Sequence, residues 1–202
     1  MKKKMPQWLK VLGTIVLILL VLIGGIGGYS YMKEKRKEAL YRHGFRLLEQ
    51  QTAYYLKEHY SGISKIEFSP IFVDESGVDR SIKVVPVIYD EHGNRALLGK
   101  EIGNFQPMTY GYPVGLSTIE IDNKGNDFIE IGTPKDEYMN VSDYHDLPEK
   151  AKFSSHSNID DNIDLLVKFH KIENVKKSSV GNPKVKITYN YEIKKGDYKK
   201  WQ

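Results

Sequence analysis

Hydrophobic and polar positions along this chain fall into three regimes. No charged residue occurs from Val11 to Met32, and Val11–Ile23 is almost wholly leucine, isoleucine and valine. A helix rises 1.5 Å per residue, so about 21 residues cover roughly 31 Å, close to the hydrocarbon thickness of a bilayer. The pattern predicts an N-terminal transmembrane helix, with Trp8 at one end and Tyr29 and Tyr31 at the other, where interfacial aromatics belong. From Lys35 to Tyr60 the period becomes that of an amphipathic helix. Leu40, Gly44, Leu47, Leu48, Thr52, Tyr55, Leu56 and His59 line one stripe, and Lys37, Arg42, Arg46, Glu49, Gln50 and Lys57 the opposite face. Gly62 stands in the place of a C-terminal cap.

Beyond Gly62 a period of two takes over. Ile63–Val73 and Ser81–Asp90 read as strands, each interrupted by a proline (Pro70, Pro86), the mark of an edge or a break. "DEHGN" then turns the chain into "RALLGKEI", a hairpin, and "STIEIDNKGNDFIEIG" predicts a second one. Val185, Ile187, Tyr189, Tyr191 and Ile193 alternate with polar residues, predicting a half-buried antiparallel strand. Asn158–Lys177 fits a helix with Asn158 as N-cap and acidic residues in its first turns; a strand through Leu165, Val167 and Phe169 is the alternative. The expected fold class is α+β: a transmembrane helix, an amphipathic helix, then a mainly antiparallel β-sheet domain with one further helix. Its divisions are a membrane anchor at 1–32, a juxtamembrane helix at 33–62 and an extracytoplasmic domain at 63–202. No internal repeat is visible.

Charge sharpens the first regime. The net charge is +4, with 30 basic and 26 acidic residues, and Lys2, Lys3, Lys4 and Lys10 precede the apolar run before any acid appears. Without those four the chain is formally neutral, so the basicity flanks the membrane segment and gives no general face for nucleic acid. A short basic tail favours the N-terminus inside and the large domain outside; the second basic cluster at Lys33–Lys37 supports the inverse. Residues 9–32 are thus expected to contact membrane lipid in a single-pass protein of the cell membrane. A cleaved signal peptide, cut near Gly27 or Ser30, is the alternative to a retained anchor. Gly24 and Gly28 form a small-xxx-small pair suited to a helix–helix dimer, or simply mark the helix end. The absence of cysteine excludes disulfides, thiolate metal sites and a cysteine nucleophile.

Candidate chemistry is sparse. No HxH, HxxxH or HExxH occurs; the densest group of ligand types is Asp143, His145, Asp146, His156, Asp160 and Asp161, a divalent-ion site only if the segment folds back on itself. "GLSTI" at 115–119 lacks the second glycine of a nucleophile elbow and opens a strand. No phosphate-binding glycine loop is present, and Asp160/Asp161 or Glu120/Glu130 read as solvated charges unless burial pairs them. No residue is therefore assigned as catalytic, cofactor-binding or metal-ligating, and no cofactor is implied. Tyr110–Pro113 with Phe105 and Met108 forms an aromatic loop that either packs a sheet end or binds a peptide or glycan. The terminal "KKGDYKKW" reads as a frayed tail, with contact to acidic lipid or wall polymer as the lesser alternative.

In its order of parts, the "MKKK…VLGTIVLILLVLIGG" start and the "YYLKEHYSGISKIEF" passage resemble small, uncharacterised, single-pass surface proteins of Gram-positive bacteria. That resemblance covers architecture alone and transfers no functional residue. It implies a membrane-anchored, extracytoplasmic binding or accessory protein acting by contact with a protein partner in the envelope, more in keeping with a non-enzyme. The alternatives are a metal-dependent envelope hydrolase using His145 and His156, and a cytoplasm-facing membrane regulator.

Overall fold

A computed structural model describes residues 7–76, 81–112, 119–131 and 137–201, without the side chains at 9–11, 13 and 17–26. The chain forms two compact units, Met1–Ala39 and Leu40–Gln202. One helix, α1 (Gln7–His59), supplies all of the described first unit and continues as the opening element of the second. No break separates the apolar run from the charged residues after it, and Lys35 pairs with Glu38 at 3.2 Å along the same helix.

The expected transmembrane helix is corrected here. Among the described residues no helix is long and apolar enough to cross a membrane. A span needs about 20 consecutive, predominantly apolar residues. The described positions of α1 before Lys33 include Gln7, Thr14, Gly27, Gly28 and Ser30, all exposed, and the helix then runs on into charge. The single-pass, cell-membrane placement built on that helix falls with it. Gly28 has open space where a Cβ would stand; the surroundings of Gly24, the other member of the expected small-xxx-small pair, lie outside what is described.

In the second unit α1 is buried on more than its apolar stripe. Phe45, Leu47, Leu48, Tyr55 and Leu56 are sealed, and so are Glu49, Gln51 and Thr52. The strands that enclose them are β1 (Tyr60–Ser61), β2 (Ile63–Phe68), β3 (Ile71–Asp74), β4 (Ser81–Val84), β5 (Pro86–Asp90) and β6 (Arg95–Leu97). After these come β7 (Tyr110–Tyr112), β8 (Ile119–Ile121), β9 (Asp127–Glu130), β10 (Tyr138–Asn140), helix α2 (Ser157–Lys168), β11 (Lys176–Lys177), β12 (Lys186–Thr188) and β13 (Ile193–Lys195). They form two four-stranded sheets, β12-β2-β5-β6 and β13-β3-β4-β7, a three-stranded sheet β10-β9-β8 and the small pair β1-β11. The second unit is thus α+β with mostly antiparallel pairing.

Each proline-interrupted strand serves two sheets. β2 pairs antiparallel with β5 and β3 with β4, so 63–74 and 81–90 make one ribbon that bends halfway. At the bend Ser69 takes over the ladder: its N–H donates to the Val85 carbonyl at 3.0 Å, and its Oγ accepts from the Val85 N–H at 2.8 Å. Pro70 and Pro86 follow directly, where a missing N–H leaves no ladder bond unmade. The single strand expected at Ser81–Asp90 is therefore two.

The C-terminal strand departs further from expectation. It runs parallel, β12 along β2 and β13 along β3, with Tyr189–Glu192 between the two strands and the Glu192 carbonyl accepting from the Ile71 N–H at 2.8 Å. Alternation in a sequence reports which face is buried and is indifferent to the direction of the neighbour. The tail is also docked: Tyr198 is buried, and the Lys100 Nζ donates to the carbonyls of Tyr198, Lys199 and Trp201 at 2.7–2.9 Å.

Candidate functional site

Helix α2 presents two chemically opposite faces. It starts at Ser157, one residue ahead of the expected cap, because His156 holds the N-cap position and its Nδ1 accepts from the Ile159 N–H at 3.4 Å. It ends at Lys168, and His170 beyond it adopts a left-handed φ of 53°. Ile159, Ile163 and Leu166 face inward into the core, and buried Asn162 accepts from the Gly99 N–H at 2.8 Å.

Asp160 lies on the inward side and is fully engaged. Its Oδ1 accepts from the hydroxyls of Tyr55 at 2.8 Å and Tyr60 at 2.5 Å, and its Oδ2 meets the Lys177 ammonium at 2.6 Å. The Tyr55 hydroxyl in turn accepts from the His156 N–H at 3.0 Å and from Lys177 at 2.9 Å. Burial pushes the Asp160 pKa up, but the bonds from Lys177, Tyr60 and Tyr55 outweigh it and leave it below the usual value. The network ties α1, α2 and β11 together and has no member left over for a substrate.

Asp161 and Asp164 lie toward solvent. Both are exposed, and neither makes a side-chain hydrogen bond or ion pair among the described residues. With Leu165, Lys168 and Phe105 they line an open cavity of about 350 Å³. Phe105 is 49% and Phe169 39% exposed, and their rings meet edge to face with centroids 6.3 Å apart. The backbone at both positions is fixed. Phe105 closes a four-residue hairpin in which Ile102 and Phe105 exchange two 3.0 Å backbone hydrogen bonds. Phe169 caps α2, its N–H donating to Leu165 at 2.9 Å, and its ring seats against Gly103.

The loop after Phe169 is pinned by the turn between β5 and β6. Buried Asp90 accepts from the Glu173 N–H at 2.8 Å, the Asn174 side chain lies 3.0 Å from His92 Nε2, and Ile172 and Val175 are buried. Non-glycine residues at positive φ, here His170 and Asn174, persist only where the surroundings over-determine them.

The residues singled out as ligand types do not converge. His145 is exposed, with Nδ1 3.1 Å from Asp146 and Nε2 3.3 Å from Arg46. His156 is buried and packs edge to face on Phe153 at 4.4 Å. Their contacts on α1, Arg46 and Tyr55, are nine residues apart, about 13 Å along the helix axis. Among the described residues no group of three or more His, Asp or Glu could hold a metal ion. Ser117 lies outside the described residues. In the aromatic loop Tyr110 is buried and packs, whereas Phe105 is displayed.

Two other side-chain pairs involve buried titratable groups. His43 Nδ1 lies 2.6 Å from Asp127 Oδ2 and its Nε2 2.9 Å from the Tyr144 carbonyl, so both ring nitrogens are occupied. Burial pushes Asp127 up in spite of that partner. Lys83 donates to Thr109 at 2.8 Å, and burial pushes its amine down to about 8. Phe169 escaped sequence reading because its place as a cap depends on where α2 stops, and the sequence pattern extended that helix to Lys177. Compared with family models, curated proteins and solved structures, the chain matches none.

Proposed function

We propose that this protein works by contact, its second unit serving as a binding or accessory module for another protein. The observation that carries this reading is the Phe105–Phe169 pair, exposed to solvent yet held by backbone hydrogen bonds and a pinned loop. Aromatic side chains displayed rigidly contribute large contact area at low entropic cost, the character of interface hot spots. The strongest polar clusters, around Asp160 and His43, are by contrast spent on holding the fold. A hydrolase built on His145 and His156 lacks support, since one is exposed beside Arg46 and the other is a buried helix cap.

The test places a photo-crosslinking amino acid at position 105, and at position 186 on exposed β12 as a control. The expected result is a discrete adduct from position 105 alone. Its protein component, identified by mass and purified, should bind the unmodified chain and lose about tenfold in affinity on Phe105→Ala. Metal-dependent turnover of ester or peptide substrates, abolished by His145→Ala or His156→Ala, would overturn the reading.

A further inference from the structure

Resting on that contact reading, we propose that the cavity between Phe105 and the outer face of α2 receives an arginine side chain from a basic segment of the partner. Three features of the site select this chemistry. Its walls carry two carboxylates, Asp161 and Asp164, with no ion-pair partner among the described residues. An apolar partner would strip water from both and return nothing, a costly arrangement for charged groups. A cation pairs with them instead.

Phe105, with Phe169 against it, adds an aromatic surface beside the carboxylates, attractive to a cation. A guanidinium is planar, stacks on rings and presents paired donors that match a carboxylate, so it uses both features at once where an ammonium acts as a point charge. Leu165 offers the aliphatic contact that the stem of a long side chain needs. Lys168 also lines the cavity and is the one cation among its described lining residues, so it opposes the incoming charge and sets part of the affinity.

The probes are two soluble peptides of equal length, one alternating leucine with arginine and the other leucine with glutamate, titrated into the isotopically labelled full-length chain. The arginine peptide should shift the amide resonances of Phe105, Asp161, Asp164, Leu165 and Phe169, and weaken as salt is raised. The exposed double variant Asp161→Asn/Asp164→Asn should bind it about tenfold more weakly, as two lost exposed ion pairs imply. Lys168→Glu should bind it more tightly, a gain that damage to the fold would not produce. Equal affinity for the glutamate peptide, or an unchanged affinity in the double asparagine variant, would overturn the assignment.

The two readings fail separately. A crosslinked partner that docks at Phe105 and ignores the Asp161 and Asp164 substitutions would sink the arginine assignment and leave the contact reading standing. If neither peptide shifts the site and no protein crosslinks there, both fall.

Discussion

Asp90 and Glu49 are both sealed from solvent, at 1% and 0% exposure, yet they differ in charge at neutral pH. Asp90 sits in the turn Asp90–Asn94. Its Oδ1 accepts from the His92 and Asn94 N–H groups, each at 2.9 Å, and its Oδ2 from the Asn94 side chain and the Glu173 N–H, each at 2.8 Å. Burial pushes its pKa up, but these bonds outweigh it and hold the carboxyl below its ordinary value. Among the described residues Glu49 has one donor, the Asn190 N–H at 3.0 Å on Oε2, and its Oε1 has none. Burial pushes it up to about 9, so it is neutral at pH 7. Four fixed donors keep the charge on Asp90, whereas Glu49 combines deeper desolvation with a single donor and loses its own. Asp122 supplies a control, since the turn Asp122–Asn126 repeats the bonds from Lys124 N–H, Asn126 N–H and the Asn126 side chain at 2.7–2.8 Å. What it lacks is burial and the donor from a distant segment.

The sharpest way to break this comparison is to remove the carboxylates. Asp90→Ala orphans four donors in the fold and should cost about 3 kcal/mol at pH 7, read from urea unfolding. Asp122→Ala should cost clearly less, because water replaces its carboxylate. Equal losses would mean that the Glu173 link contributes nothing. Since that link pins the loop bearing Phe169, Asp90→Ala should also weaken the arginine peptide while Asp122→Ala leaves it unchanged.

Titration comes next in size, and the two buried acids act in opposite directions. The folded pKa of Asp90 lies below its unfolded value near 3.9, so its contribution is present above pH 4 and disappears as the pH falls through the folded pKa. The folded pKa of Glu49 is raised. Folding is therefore unpenalised below the unfolded value of about 4.5 and loses stability as the pH climbs toward 9. Glu49→Gln keeps a neutral acceptor for Asn190 and should gain roughly 2 kcal/mol over wild type at pH 8, with little change at pH 4. A stability profile that still falls between pH 5 and 9 in this variant would show that another group carries the alkaline loss.

These groups also mark how far sequence reading reached. Both D-x-x-G-N turns were legible as turns, since glycine and asparagine between alternating strands specify that geometry locally. That the two are copies, and that one is buried, was not legible: burial of Asp90 depends on the loop after α2, some 80 residues away. Glu49 was assigned to the polar face of α1 because the helix period identifies one apolar stripe and is silent about what covers the other. The covering segment is Tyr189–Glu192, placed there by parallel addition of β12 and β13. Asp160 and Asp161 were indistinguishable neighbours in sequence, yet one holds the core network while the other borders the aromatic cavity.

The smallest effect gives the most specific check on the turns themselves. Gly93 and Gly125 both have φ of +87°, a backbone conformation that a β-carbon disfavours. Neither site crowds an added methyl: Gly93 has open space, and the nearest atom to Gly125 is a Leu40 methyl at 3.9 Å. Replacing either by alanine should therefore expose the backbone penalty alone, about 1 kcal/mol in each turn. The two losses should be nearly equal, unlike those of the aspartates, because burial acts on the carboxylate and leaves the glycine φ untouched. Urea midpoints for Gly93→Ala and Gly125→Ala that differ as widely as those for Asp90→Ala and Asp122→Ala would show that the turns are not local equivalents, and Asp122 would then no longer serve as the control for Asp90.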